Sequence, residues 1–167
     1  MRRGNYTFRS RPSILPWLII AATIVIGDQL SKLWISKLLQ TRESIRLTPF
    51  LNLVLAHNKG AAFSFLASAS GWQRYLFTGI SIIAIIFILY FLRRNTSQKL
   101  FCWSLALILG GATGNLIDRL LYGHVIDFID FYVGTWHWPA FNIADSAITI
   151  GAVLLILDEF KRVGRSK

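Results

Sequence analysis

Long apolar runs separated by short polar segments dominate the pattern of hydrophobic and polar positions along this chain. Four runs are long enough to cross a hydrocarbon core of ~30 Å as helices, which takes roughly 20 residues each. They cover about residues 14–39, 72–92, 100–121 and 141–160. The pattern therefore predicts an all-α integral membrane protein, a four-transmembrane-helix bundle that forms one membrane domain over residues 1–167.

Two segments between the apolar runs differ from simple connectors. Over about residues 44–65, partial alternation of apolar and polar positions with β-branched side chains predicts a small β-rich segment on the outer surface. The segment of about 123–140 is crowded with aromatic side chains, namely Phe128, Phe131, Tyr132, Trp136 and Trp138. Such composition is typical of a segment lying in the membrane interface. We expect an interfacial loop or helix there, which could cover a site as a lid.

Composition and charge placement support a membrane protein with a defined orientation. The chain has 167 residues, of which 54% are hydrophobic, and its mean hydropathy is +0.50, too apolar for an ordinary soluble domain. Its net charge of +10 comes largely from basic residues near both ends and at 93–99. This is a positive-inside pattern and not a nucleic-acid-binding groove, so we expect no nucleic-acid partner. Both termini and the 93–99 loop should then be cytoplasmic.

Two aspartates stand where carboxylates are costly. Asp127 follows Gly-His-Val-Ile just outside one apolar run, and Asp145 follows Phe-Asn-Ile-Ala at the start of the next. Carboxylates at membrane depth are functional candidates by default, and two that meet can share a proton for acid–base hydrolysis. An alternative stays open, in which Asp127 is a solvated loop residue and Asp145 forms an ion pair with Arg119 or Lys32.

Helical rise places the polar residues of three runs in one layer. Counted at ~1.5 Å per residue from the inner ends, Asp28 lies ~21 Å up the first run and Asn115 ~22 Å up the third. Asp145 lies roughly 6 Å below the outer end of the fourth. Other polar residues share these helix faces: Lys32 with Asp28, Asp118 and Arg119 with Asn115, and Asn142, Ser146 and Thr149 with Asp145. We predict a polar layer in the outer third, although hydrogen bonds that merely hold the bundle would give the same pattern.

Other chemistries have weaker support. His57, His124 and His137 do not form a His-Glu-x-x-His motif, so we predict no metal site and no cofactor. No serine stands in a Gly-x-Ser-x-Gly setting. Two functions without hydrolysis stay open: a small transporter or ion relay that uses Asp28 and Asp145, and an assembly factor whose polar layer only binds partner helices.

Five sequence blocks, in order along the chain, match one known family. They are Asp28–Lys32, Asn58–Ser64, Gly110–Arg119, Val125–Phe128 and Phe141–Ala147. Each block alone would be weak, but together they are specific. On these blocks the chain resembles the bacterial lipoprotein signal peptidases, or type II signal peptidases, over nearly its whole length.

The resemblance implies an intramembrane aspartic endopeptidase of the bacterial inner membrane. Such enzymes cut prolipoproteins on the amino side of a diacylglyceryl-modified cysteine, with the active site near the periplasmic face, and we expect a monomer. The expected roles by position are catalysis for Asp127 and Asp145, substrate binding for Asn58, Asn115, Arg119 and Asn142, and structural support for Asp28, Lys32, Gly60 and Asp118. The expected partners are lipid-modified prolipoproteins and membrane lipid.

Overall fold

Four long helices and a small antiparallel sheet make up the computed structural model, which describes residues 13–39, 44–60 and 71–165. The helices are α1 Leu15–Leu38, α2 Trp72–Arg94, α3 Lys99–Leu121 and α4 Ile143–Arg165. The strands are β1 Ser44–Thr48, β2 Leu51–Asn58, β3 Val125–Val133 and β4 Trp136–His137. The basic residues before position 13 and the motif residues 61–64 lie outside the described residues.

Three of the helices can cross a membrane by length and composition. Helices α1, α2 and α3 contain windows of mean hydropathy 1.6, 2.5 and 1.7, and among the described residues these are the helices that qualify. Helix α4 occupies the fourth predicted range, but its second half carries Asp158, Glu159, Lys161 and Arg162. A fourth membrane crossing therefore stays a prediction.

Helix α3 lies at the centre of the bundle because glycines let its neighbours approach closely. A Cβ at Gly110 would lie 2.7 Å from the Cβ of Ile24 on α1, and one at Gly111 would collide with the Ala144 carbonyl on α4. Further along the contact between α3 and α4, a Cβ at Gly151 of α4 would lie 2.8 Å from the Ser104 carbonyl oxygen of α3. An apolar cluster then fills the inner ends of α1, α2 and α3, including Trp17, Leu92, Cys102 and Leu105.

The four strands form one antiparallel sheet in the order β1-β2-β3-β4. Strand β2 pairs with β3 so that Ala56 is opposite Asp127, with an irregular register between Leu53 and Ala56. Phe128 of β3 packs against Ile35 and Leu39 and so attaches the sheet to the end of α1.

The second outer segment corrects the sequence prediction. We expected an interfacial loop or helix over about 123–140, and this range instead contains β3 and β4. Aromatic side chains favour both interfaces and strands, and the first half of β3 is buried because it lies between β2 and the helices. The burial of this half could be decided only by pairing with β2, which is distant in sequence.

Candidate active site

Asp127 lies in the buried half of β3, and its side chain is held by two amides. The residue is 2% exposed. Its Oδ1 accepts a hydrogen bond from Asn142 Nδ2 at 2.7 Å, and its Oδ2 accepts one from Asn58 Nδ2 at 3.0 Å. Asn58 is itself oriented by the backbone N–H of Gly60, which donates to Asn58 Oδ1 at 2.9 Å. Each oxygen of Asp127 therefore has a neutral donor.

Asp145 is the third residue of α4 and forms a reciprocal cap with Asn142. The Asp145 N–H donates to Asn142 Oδ1 at 2.9 Å, and the Asn142 N–H donates to Asp145 Oδ2 at 3.3 Å. Such a cap satisfies two backbone groups that a helix start would otherwise leave open. The other oxygen, Oδ1, accepts from Asn115 Nδ2 of α3 at 2.7 Å.

Asn142 therefore contacts both carboxylates, and the structure brings together the two aspartates that the sequence singles out. Burial raises the pKa of Asp127 to about 7, and the negative charge of Asp145 adds to this effect. The hydrogen bonds from Asn58 and Asn142 and the charge of Lys32 oppose it. With a pKa near neutrality, Asp127 can hold or release a proton under ordinary conditions.

Both aspartates open onto one cavity of about 470 Å³. Its polar wall consists of Asn58, Asn115, Arg119, Asp127, Asp145, Ser146 and Thr149. The other lining residues are mostly apolar, among them Val125, Trp138, Pro139, Ala140, Phe141, Ile148 and Ile150. A polar reacting centre beside an apolar wall suits a substrate that combines a peptide bond with lipid.

Arg119 lies on the cavity wall and is supported from behind. Its guanidinium carbon lies 5.5 Å from the ring centroid of Phe77 on α2, and its Nη1 donates to the Asn115 carbonyl at 3.3 Å. The aromatic face stabilises the cation where water is scarce. The geometry leaves a planar cation facing the space next to the two aspartates.

Three of the four residues expected to give structural support lie directly behind the cavity, whereas the fourth, Gly60, lines it. Lys32 Nζ is 2.7 Å from Asp28 Oδ2 and 2.8 Å from Asp118 Oδ2, and all three side chains are buried. Among the described residues, Asp145 forms no ion pair. The alternative that Asp145 is the ionic partner of Lys32 or Arg119 is therefore wrong.

The three histidines weighed as metal ligands do not converge. The rings of His57 and His124 are tilted by 56° with centroids 4.4 Å apart, whereas His137 Nδ1 lies 2.9 Å from Asp130 Oδ1. Within the ranges that the structure describes, no group of three or more metal-ligating side chains occurs.

Two residues that contact the site were not among those predicted from the sequence. Gln29 Nε2 donates to Asp118 Oδ1 at 2.9 Å and to Asp28 Oδ2 at 3.2 Å. Phe77 supports Arg119 from α2, which contributes no residue to the predicted polar layer. Gln29 stands inside a matched sequence block, so its position was a usable signal, but nothing in the sequence marks Phe77 among the many apolar residues of α2.

Among known protein families, the family model described as Signal peptidase (SPase) II matches residues 20–161 of this chain. The chain belongs to the signal peptidase II family. Two curated members of this family are a lipoprotein signal peptidase of Janthinobacterium sp. (strain Marseille), 64% identical over 99% of this chain and 100% of that one, and another of Paraburkholderia phymatum, 59% identical over 90% and 91%.

A solved structure shows the same fold. A bacterial membrane enzyme determined by the in meso method at 2.3 Å resolution superimposes with a TM-score of 0.83. It is 35% identical, and the match covers 94% of each chain. This signal peptidase II family member is therefore a peptidase and an integral membrane protein, with a small antiparallel sheet beside its helices.

Proposed function

We propose that this protein is an aspartic endopeptidase that removes signal peptides from diacylglyceryl-modified prolipoproteins, cleaving on the amino side of the modified cysteine. One observation carries the assignment of roles: two buried carboxylates, joined through Asn142, open onto the same cavity. Family membership supports the substrate class. The apolar wall of the cavity suits a lipid-bearing substrate.

The proposed chemistry divides acid and base between the two aspartates. Asp127, which has a pKa of about 7, is protonated and donates a hydrogen bond to the scissile carbonyl oxygen. Asp145 is ionised and takes a proton from the attacking water, whose oxygen bonds to the carbonyl carbon. The tetrahedral intermediate then collapses. The C–N bond breaks as Asp145 gives the proton it took from water to the leaving amine, so that Asp145 is again ionised and Asp127 is again protonated.

The surrounding polar residues have separable roles in this proposal. Arg119 lies on the cavity wall and donates hydrogen bonds to substrate carbonyl groups. Asn58, Asn115 and Asn142 each donate to one of the two carboxylates and so orient them. Asn58 and Asn115 line the cavity, whereas Asn142 is 0% exposed, and the expected contact of all three with substrate stays a prediction.

We also propose the arrangement in the membrane. The chain is one membrane domain with four spans in the bacterial inner membrane, both termini in the cytoplasm, and the active site near the periplasmic face. Exposed apolar side chains along α4 support its contact with lipid: Ile150, Val153, Ile156, Leu157 and Phe160. The exposed apolar faces of α1 and α2 suit membrane lipid in the same way. We expect the protein to be a monomer.

The proposed lid is smaller than the segment expected from sequence. The first half of β3 is buried and paired with β2, so a large movement there would break the site itself. Residues 134–140 form a turn, the two-residue strand β4 and part of the cavity wall. We propose that these residues move to admit substrate and then cover it.

The test of function is cleavage of a synthetic diacylglyceryl-cysteine precursor peptide by purified protein. Asp127→Asn and Asp145→Asn should each lower kcat by more than ~10²-fold, because an asparagine side chain cannot act as the general acid or base of the reaction. The matched control is Asp130→Asn on the same strand. Asp130 is also buried, but it pairs with Asn52 and His137 outside the cavity.

The outcomes separate the parts of the proposal. Cleavage retained by folded Asp145→Asn would overturn the acidic pair, and the peptidase would then have to act through other residues. Cleavage of unmodified precursor as fast as the lipid-modified one would overturn the proposed substrate class.

A further inference from the structure

Lys32 forms a saturated cluster with two carboxylates behind the active site. Its Nζ lies 2.7 Å from Asp28 Oδ2, 2.8 Å from Asp118 Oδ2 and 3.3 Å from Asn115 Oδ1. An ammonium group has three N–H donors, so these three acceptors use all of them. Lys32 is 2% exposed, and Asp28 and Asp118 are 0% exposed. We call Asp28, Lys32 and Asp118 the Lys32 cluster.

Each carboxylate of the Lys32 cluster also holds a backbone N–H next to one of the active-site aspartates. Asp28 Oδ1 accepts from the N–H of Ala144, which immediately precedes Asp145, at 2.9 Å. Asp118 Oδ2 accepts from the N–H of Ile126, which immediately precedes Asp127, at 3.0 Å. The cluster thus reaches α4 and β3 by the same type of contact, one residue before each aspartate.

We propose that Lys32 is a positioning residue that sets the separation of Asp127 and Asp145 by holding Asp28 and Asp118, and through them the backbone of α4 and β3, in one place. This inference rests on the proposed catalytic roles of the two aspartates. It assigns to Lys32 a defined effect on turnover, beyond general support of the fold.

The packing leaves the Lys32 cluster little freedom to rearrange. A Cβ at Gly114 would lie 2.6 Å from Asp28 Oδ2, so α3 closes one side of that carboxylate. Gln29 Nε2 donates to both carboxylates and to the Gly114 carbonyl. If the cation is removed, two buried carboxylates remain close together without their shared partner, and they separate or take up protons. Either response moves Ile126 or Ala144, and displacements of about 1 Å at a reacting centre cost roughly 10²-fold in rate.

Lys32 also acts on Asp127 through its charge. Burial and the charge of Asp145 raise the pKa of Asp127, and Lys32 opposes them. The other charged group near this carboxyl is Arg119 on α3, while β2 contributes the neutral amide of Asn58, and Asp118 contacts the neighbouring Ile126 N–H. Loss of the cation therefore raises the pKa of Asp127 further.

The experiment compares Lys32→Met with wild type on the diacylglyceryl-cysteine peptide, over a range of pH. We expect kcat to fall roughly 10²-fold with KM within about twofold, because substrate binding is kept and alignment is lost. The alkaline limb of the kcat/KM profile, which reports protonated Asp127, should move to higher pH by roughly half a unit or more. Hydrogen exchange should accelerate at the segments that carry Ile126 and Ala144.

Two controls separate positioning from general destabilisation. Lys37→Met removes an exposed lysine from the last turn of the same helix and should leave kcat and the pH profile unchanged. Leu92→Ala opens the apolar cluster at the inner ends of the helices, so it should lower Tm without moving the alkaline limb. If Lys32→Met does not fold, Lys32→Met/Asp118→Asn, which removes one charge of each sign, should still lose at least ~10-fold in kcat.

The results distinguish this inference from the proposed function. A Lys32→Met protein, or the double variant in its place, that keeps wild-type kcat overturns the inference. So does a lower kcat accompanied by an unmoved alkaline limb and by exchange that accelerates as uniformly as in Leu92→Ala. If Asp127→Asn keeps its activity in the same assay, the proposed roles of the aspartates fail first.

Discussion

Asn142 uses nearly all of its polar atoms to define the site. Its side-chain oxygen accepts from the Asp145 N–H, its amide nitrogen donates to Asp127 Oδ1, and its backbone N–H donates to Asp145 Oδ2. It is 0% exposed, so each of these groups would be costly to leave without a partner. One residue therefore begins helix α4 and joins two carboxylates that come from different elements.

Asp127 should make the stability of the protein depend on pH. Its pKa is about 7 in the folded state and 3.8 in a free chain, so between these values only the folded state keeps the proton. The free energy of unfolding of the wild type should then fall by about 1 kcal/mol per pH unit as pH rises through this window. The free energy of unfolding of Asp127→Asn should show no such decrease, because asparagine does not ionise.

Thermal unfolding in detergent from about pH 4 to pH 8 measures the effect. The Tm of Asp127→Asn should rise relative to that of wild type as pH increases, and the difference should level off above pH ~7, where Asp127 has ionised. Parallel Tm curves for the two proteins would show that the burial of Asp127 carries no such penalty.

At the scale of elements, the position of Asp145 depends on how closely α4 approaches α3. The first turn of α4 packs onto Gly111, where a Cβ would collide with the Ala144 carbonyl and lie 2.7 Å from Ile148 Cγ1. Asn115, one turn further along α3, contacts the Asp145 carboxylate. The helix contact and the carboxylate contact are therefore parts of the same interface.

Gly111→Ala should push the first turn of α4 away from α3. We expect a loss of roughly 1–3 kcal/mol in stability, as for other overpacked sites, together with lower activity. Gly79→Ala on α2 is the matched control, because a Cβ there meets nothing within 4 Å. It should be neutral or slightly stabilising, since alanine favours helix more than glycine does. Equal effects of the two substitutions on unfolding and cleavage would contradict this account.

At the scale of the whole molecule, the protein is polar near its centre and apolar on much of its outer surface. The buried charged groups Asp28, Lys32, Asp118 and Asp127 lie among the elements, whereas large apolar side chains of α1 and α2 are exposed. This arrangement is stable in lipid, where exposed apolar groups cost nothing and buried charges must be paired or share protons.

The proposed orientation can be tested with single cysteines. In a Cys102→Ser background, Ser97→Cys lies in the exposed loop between α2 and α3, and Thr135→Cys lies in the exposed turn between β3 and β4. An impermeant thiol reagent added to intact spheroplasts should label position 135 and leave position 97 unlabelled until the membrane is opened. The reverse pattern would place the active site at the cytoplasmic face.

The sequence by itself was enough to predict the helices, the β-rich segment and the acidic pair. Hydropathy and helical rise are local properties, so the runs and the depths of Asp28, Asn115 and Asp145 can be counted along the chain. The structure bears out the convergence of these residues, since Asn115 contacts Asp145 and Asp28 contacts the backbone beside it.

Only the tertiary structure decided which partner each buried group takes. Lys32 could have paired with Asp145 by depth alone, yet its partners are Asp28 and Asp118, and the asparagines occupy the active-site carboxylates. In the same way, β3 is a buried strand because β2, far away in sequence, pairs with it. The reason is common to both cases: the energy of a buried polar group depends on the distance and direction of its donors, which sequence spacing does not contain.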